Sequence, residues 1–215
     1  MKELTKLLVA AALASLLGCG VSDESMVVLV GAIAWQVDPN AATMSTTCTA
    51  DPNSAELAAS GLLDVNYFGG PDQVPAFRQK FKITNQLPQR GTTDFSLETN
   101  AYVMERAVIS YSGLDETSDA ILSNLSTEVA LGTTIAPQQT GGLALTLVPR
   151  NIAQVMRDQL VPNPGDIRTV IANVQIQGHT VGQEPVDSSV LSWPLDVCND
   201  CKARLCTPAC DCSHF

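Results

Sequence analysis

The sequence predicts an all-β fold, an immunoglobulin- or fibronectin-like β-sandwich with one short helix in a connection and a cysteine-rich C-terminal tail. Three observations predict it. Apolar residues recur at every second position in five separate segments, the period of a half-buried strand. The segments between them are punctuated by 14 Gly and 12 Pro. Only one segment has a 3.6-residue period. Of the 215 residues, 45% are hydrophobic and 16% charged, enough apolar surface for a single core and too much for a disordered chain. Coiled coils and helical repeats are excluded because Gly, Pro, Thr, Ser and Val crowd out Ala, Glu and Lys. A jelly roll is the alternative architecture, since strand count alone does not separate it from a sandwich.

The elements follow in chain order. Residues 26–37 (MVVLVGAIAWQV) are almost wholly apolar but too short to span a bilayer, and they read as a buried strand bent at Gly31. Residues 38–53 form a loop rich in Pro, Asn, Thr and Ser. Phe77, Phe81 and Ile83 then alternate with Arg78, Lys80 and Lys82. Val103, Ala107, Ile109 and Tyr111 define another strand face, and Leu143, Leu145 and Leu147 a third. Ile152, Val155, Met156 and Leu160 lie on one face of a helix bounded by Pro149 and Pro162. Val170, Ala172, Val174 and Ile176 mark the next strand, and Leu191, Trp193, Leu195 and Val197 the last. Residues 177–182 (QGHTVG) read as the hairpin turn between those two, placing His179 in a turn. Pro194 marks an edge or a bulge.

The N-terminus carries an address. Lys2 and Lys6 precede an apolar run from Leu7 to Leu17 that fits a secretory signal, and the run ends in Leu16-Leu17-Gly18-Cys19. This resembles the bacterial lipobox, which implies that residues 1–18 are a lipoprotein signal peptide and that Cys19 is acylated, with palmitate-type chains, as the new N-terminus. Gly20 in place of Asp implies the outer membrane. Residues 19–25 would form an acylated tether, with Gly20 to Ser25 reaching about 20 Å at most. Losing Lys2, Lys6 and Glu3 takes the 12 basic and 22 acidic residues to 10 and 21. So acidic a chain has no surplus cation for nucleic acid and no general attraction to anionic lipid.

Residues 26–197 are expected to be the sandwich domain and 198–215 the tail. Residues 83–87 (ITNQL), 98–100 (ETN) and 197–201 (VCNDC) together resemble a set of uncharacterised, secreted bacterial lipoproteins with a β-rich body and a cysteine-rich C-terminus. That resemblance implies location and architecture and no activity. Beyond Cys19, the cysteines are Cys48, Cys198, Cys201, Cys206, Cys210 and Cys212, an even number suited to an oxidising envelope. Three disulfides is the first expectation, with 15 connectivities open. Five of the six lie in the tail, so at least one leaves it, and Cys48 is the one cysteine outside. Cys210 and Cys212, separated by one residue, are poor partners for each other. The alternative is a metal or redox site. The C-x2-C-x4-C-x3-C-x-C run approaches a zinc knuckle or ferredoxin loop without matching either, and His214 could add a ligand. Cys198 and Cys201 form a CxxC, but no βαβ pattern of thioredoxin type surrounds it.

No catalytic motif stands out, and the chain is expected not to be an enzyme and to need no cofactor besides its covalent lipid. The two histidines, His179 and His214, have no H-E-x-x-H, G-x-S-x-G or P-loop around them. Asp115, Glu116 and Asp119 read as a polar turn or helix cap before a Ca²⁺ site. Arg78, Lys80 and Lys82 could meet an anionic partner, lipid headgroup or glycan; the plainer reading is a solvated strand whose lysines discourage edge-to-edge pairing. The expectation is a lipid-anchored envelope protein with a binding or structural role, held to the membrane by acyl chains and meeting an envelope protein or glycan. A metal-binding or redox protein built on the cysteine cluster is the alternative.

Overall fold

The computed structural model describes residues 26–33, 36–37, 48–49, 57–67, 74–89 and 99–201. Its elements are β1 (Val27–Ile33), β2 (Gln36–Val37), β3 (Cys48–Thr49), β4 (Leu57–Ala58), β5 (Gly61–Asp64), β6 (Phe77–Asn85) and β7 (Tyr102–Gly113). There follow α1 (Glu116–Leu122), β8 (Ser126–Ala130), β9 (Thr134–Ile135), β10 (Thr140–Val148) and α2 (Arg150–Val155), which runs on as a π turn over Met156–Leu160. The chain ends its described part with β11 (Ile167–Thr180), β12 (Pro185–Asp187) and β13 (Leu191–Cys198). The fold is mostly β, with two sheets and two short helices. One sheet has four strands in the order β10-β6-β1-β4. The other has seven, β5-β13-β11-β7-β8 with β12 on β11 and β9 on β7. A small β2–β3 ribbon stands apart from both.

Alternation builds both sheets. In β6, Gln79, Phe81, Ile83 and Asn85 are buried while Lys80, Lys82 and Thr84 are half-buried on the other face and Arg78 is exposed. In β11 every second residue from Val170 to Ile176 is completely buried. These faces meet in one hydrophobic cluster that contains Phe81, Ile83, Leu143, Leu145 and Leu147 from the first sheet and Met104, Ile109, Val170, Val174 and Leu195 from the second. Trp193 locks the two together. Its indole stacks on Phe77 (centroids 6.0 Å, interplanar angle 27°) and meets Phe81 edge-on at 6.0 Å, while Nε1 donates to the Ala58 carbonyl at 3.2 Å. Gly61 lies beneath this group: a Cβ there would collide with the indole and sit 2.8 Å from Phe77 Cζ. Tyr111 Oη donates to the Leu147 carbonyl at 2.6 Å, a second bond from sheet to sheet.

Several expectations need correction. Val103 is half-buried, and Tyr102 and Met104 point inward in its place. The cause is a bulge: Gln177 faces Arg106 but Gly178 faces Met104, so Glu105 is an extra residue that shifts the alternation by one. The hairpin turn falls at residues 181–184, after β11, and not at 177–182; His179 is therefore a strand residue opposite Val103 and Pro185. There is a second helix, α1, whose seven residues bury only Ser118 and Leu122 and so give no clear 3.6 period. The apolar segment from Met26 is broken into β1 and β2, and the bend at Gly31 is a bulge in which Val30 is the extra residue between Leu29 and Gly31. Pro194 lies within β13, which has β11 on one side throughout but gains β5 on the other only from Leu195 onward. Among the described residues no strand pairs with Pro194 on that second side, which suits a residue without an N–H.

The Pro149-to-Pro162 helix forms where its pattern predicts, with Ile152, Met156 and Leu160 buried, but Val155 is only half-buried and Ala153 is buried beside Ile152. Its last turn widens, and the Val161 amide reaches back five residues to the Met156 carbonyl at 3.0 Å.

Two outcomes follow. Gly61→Ala should lower stability by about 1–3 kcal/mol through overpacking against Trp193, measured by urea unfolding. Burial pushes the phenol pKa values of Tyr102 and Tyr111 up, with Asp187 and Glu105 adding to the effect at Tyr102. The folded state thus keeps protons that unfolding releases. Stability should be full below about pH 10, the ordinary phenol value, and fall above it. Tyrosinate absorbance should then show both phenols ionising only as the fold is lost.

Candidate functional site

The densest cluster of chemistry-bearing groups lies where β13 ends. Cys198, the last residue of β13 and fully buried, is joined to Cys201 by a disulfide, with Cα atoms 6.1 Å apart. Cys198 was expected to begin the tail, but here it belongs to the sheet and faces Ile167 and Asp64. Asp64 is 3% exposed, and its carboxylate accepts backbone N–H groups from Asn66 at 3.0 Å, Asp200 at 3.0 Å and Cys201 at 2.8 Å. No cation is among these bonds; oriented amides satisfy the buried charge. The opposite side of the loop is tied as well, although Asn199 Oδ1 is buried without a hydrogen-bond partner among the described residues. Asn199 N donates to the Asp166 carbonyl at 3.1 Å, its carbonyl accepts from Gly165 N at 2.7 Å, and Nδ2 donates to the Val161 carbonyl at 3.0 Å. Asp200 adopts φ +60°, a turn conformation that Asp tolerates better than most residues.

Asp64, Cys198 and Cys201 bring one ligand atom each within 4.8 Å of one another. In the disulfide the sulfurs offer no thiolate, so this group can hold a cation only when reduced. With Cys198 and Cys201 joined, Cys48, Cys206, Cys210 and Cys212 remain, and three pairings stay open. Cys206, Cys210, Cys212 and His214 lie outside the described residues, as do Cys19, the signal and the tether. Cys48 is described only as backbone, opposite Val37 in the β2–β3 ribbon.

Asp64 carries no strong signal in the sequence, because two of its three partners are 136 and 137 residues away and are brought to it by the parallel pairing of β5 with β13. The only local hint is Asp64-Val65-Asn66, the spacing at which an Asp side chain binds the amide two residues on.

The other singled-out residues fall elsewhere. Asp115 is the N-cap of α1: its carboxylate accepts from Ser118 N at 2.9 Å and from Ser118 Oγ at 2.8 Å. These two bonds hold its carboxyl below the usual carboxylate range, with Arg168 adding to the effect. Asp119 accepts from Gly113 N at 3.1 Å and braces the same turn. Asp115, Ile121, Gln159, Leu160, Asp166 and Arg168 line an open, largely polar groove of about 510 Å³. His179 Nδ1 lies 3.1 Å from Glu105 Oε1, the carboxylate of the bulge residue. Arg78, Lys80 and Lys82 project from one face of β6, as the alternation predicts. They do not guard an edge, because β6 is hydrogen-bonded to β10 on one side and β1 on the other.

Removing the clasp should be costly. Asp64→Ala strands buried N–H donors and should lower stability by about 2–4 kcal/mol in urea unfolding. The double change Cys198→Ser and Cys201→Ser opens only a short loop and should cost about 2 kcal/mol. Compared with known protein families and with curated proteins, the chain matches none.

Proposed function

We propose that this chain is a lipid-anchored protein of the bacterial envelope, held by acyl chains on Cys19, with a binding or structural role and no catalytic one. The observation that carries the reading is the Cys198–Cys201 disulfide, built into the end of a core strand beside a buried carboxylate. A bridge so placed belongs to an oxidising compartment, the destination that the signal and Leu16-Leu17-Gly18-Cys19 also specify. Gly20 after the cysteine supports the outer membrane as its location. Several carboxylates and the histidine of the described body are engaged in holding it together: Asp64 in the clasp, Asp115 and Asp119 around α1, His179 against Glu105. That engagement supports a scaffold over a reaction centre. The partner in this reading is an envelope protein or glycan.

The body is assigned to the immunoglobulin or fibronectin type of sandwich. Strand order supports this. β1, β6 and β10 share one sheet in the manner of strands A, B and E, and β13, β11, β7 and β8 share the other in the manner of G, F, C and C′. The chain changes sheets between β6 and β7 and again on either side of β10, as in a Greek key.

A second reading, a metal or redox protein, rests on the 4.8 Å cluster of Asp64, Cys198 and Cys201. Stoichiometric zinc or iron in protein taken from the envelope would put it first. The anchor itself is tested by feeding cells a palmitate analogue. Wild-type protein should be labelled and pellet with membranes, and Cys19→Ser should lose both properties. Labelling that survives Cys19→Ser would overturn the reading.

A further inference from the structure

We infer that the outer edge of β10 pairs with β10 of a second copy of this chain, joining two four-stranded sheets into one. β10 lies antiparallel beside β6 and, among the described residues, beside no other strand. In the immunoglobulin-type assignment β10 corresponds to strand E, and its open side is where a constant-type sheet carries strand D. Residues 131–139, which run from β8 to β10, form one strand here, β9, and it pairs with β7 in the other sheet. The connection that would cover the edge has gone elsewhere.

The ladder fixes which groups the edge presents. Asn85 N donates to the Gln139 carbonyl at 3.0 Å, and the next rung pairs Thr84 with Thr140. Bonded and non-bonded pairs alternate in an antiparallel ladder, so Gly141, Leu143 and Leu145 exchange bonds with β6. Thr140, Gly142, Ala144 and Thr146 turn their N–H and C=O groups to the open side. Gly142 and Ala144 are exposed, and their side chains are too small to cover the backbone.

The other described edges are protected by length or by charge. β4 has two residues and β5 four, β8 has five with Glu128 among them, and β12 has three with Pro185 and Asp187. β10 has nine residues and neither a charge nor a proline. Its sheet neighbours β6 and β1 hold no acidic residue either. In a chain of net charge −10, two copies can meet along this strand without setting carboxylates against each other. The cations of β6 would lie three strand spacings from those of the second copy, about 14 Å, beyond the screening length of physiological salt.

A second copy is the occupant because the edge is self-complementary. With the strands antiparallel about a twofold axis at Leu143, all four edge residues find partners: Thr140 meets Thr146 of the second copy, and Gly142 meets Ala144. That register closes about eight backbone bonds between the copies. On the exposed face it sets threonine against threonine, a favourable cross-strand pair, and glycine against alanine, which leaves room for the approach.

The test uses the mature chain from Gly20, which lacks acyl chains, so its outcome is independent of the lipid-anchor reading. Sedimentation over a dilution series should show a monomer–dimer equilibrium. Hydrogen exchange at the amides of Gly142, Ala144 and Thr146 should slow as concentration rises, while Gly141, Leu143 and Leu145 exchange slowly throughout. Ala144→Pro removes an N–H that the single chain leaves unbonded, and should weaken the dimer about thirtyfold by taking one bond from each copy. Glu128→Gln, on the edge of the other sheet, should leave the dimer unchanged. A chain still monomeric at about 1 mM would overturn the inference. So would a dimer whose β10 edge amides exchange as fast as the monomer's, one equally strong in a folded Ala144→Pro variant, or one that separates only on reduction. The exchange measurement decides the matter on the unaltered sequence alone.

Discussion

Everything placed on this molecule depends on one contact, the closure of two apolar sheet faces on each other around Trp193. The indole belongs to β13, yet its ring neighbours Phe77 and Phe81 come from β6 in the other sheet. Because side chains alternate with a strict period of two, fixing the inward set of a strand fixes the outward set with it. Burying Phe81 and Ile83 therefore turns Arg78, Lys80 and Lys82 outward as a row. Burying Trp193, Leu195 and Val197 brings the following CxxC to the end of the sheet, beside Asp64.

Hydrophobic closure alone does not finish that end. A buried carboxylate without a cation is costly unless its oxygens are bonded, and here the backbone amides of Asn66, Asp200 and Cys201 supply the bonds. The amides of that loop need acceptors in turn, so the clasp satisfies both parties. The disulfide then restricts a loop that is already bonded on two sides, to β5 and to the turn at residues 161–166. Clasp and disulfide are thus mutually supporting, and a chain that relies on them is suited to a compartment where thiols stay oxidised.

What the sequence shows plainly is what repeats. The faces of β6, β10, β11 and β13 and the helix between Pro149 and Pro162 are legible because several consecutive residues obey one period. Interruptions were not legible. The bulge at Glu105 reverses the inward side within a single strand, so Val103 reads as core while Tyr102 and Met104 occupy it. His179 reads as a turn residue because Gly178 and Gly182 flank it, although pairing with β7 and β12 keeps the strand going through it. Asp64 was invisible for a different reason: its role exists only through parallel pairing with a strand far along the chain. The CxxC stands out by its spacing, but the carboxylate that binds its loop does not. The basic row is visible as a pattern, whereas its interior place in the sheet requires the fold.

The proposal that this two-sheet body is an acylated envelope protein with a closed Cys198–Cys201 bridge is tested most directly by the intact mass of the protein extracted from membranes without reductant. The account predicts a chain that begins at Cys19, carries the added mass of acyl chains, and resists alkylation at Cys198 and Cys201 until reduced. An unacylated chain with both of these thiols open to alkylation before reduction would contradict it.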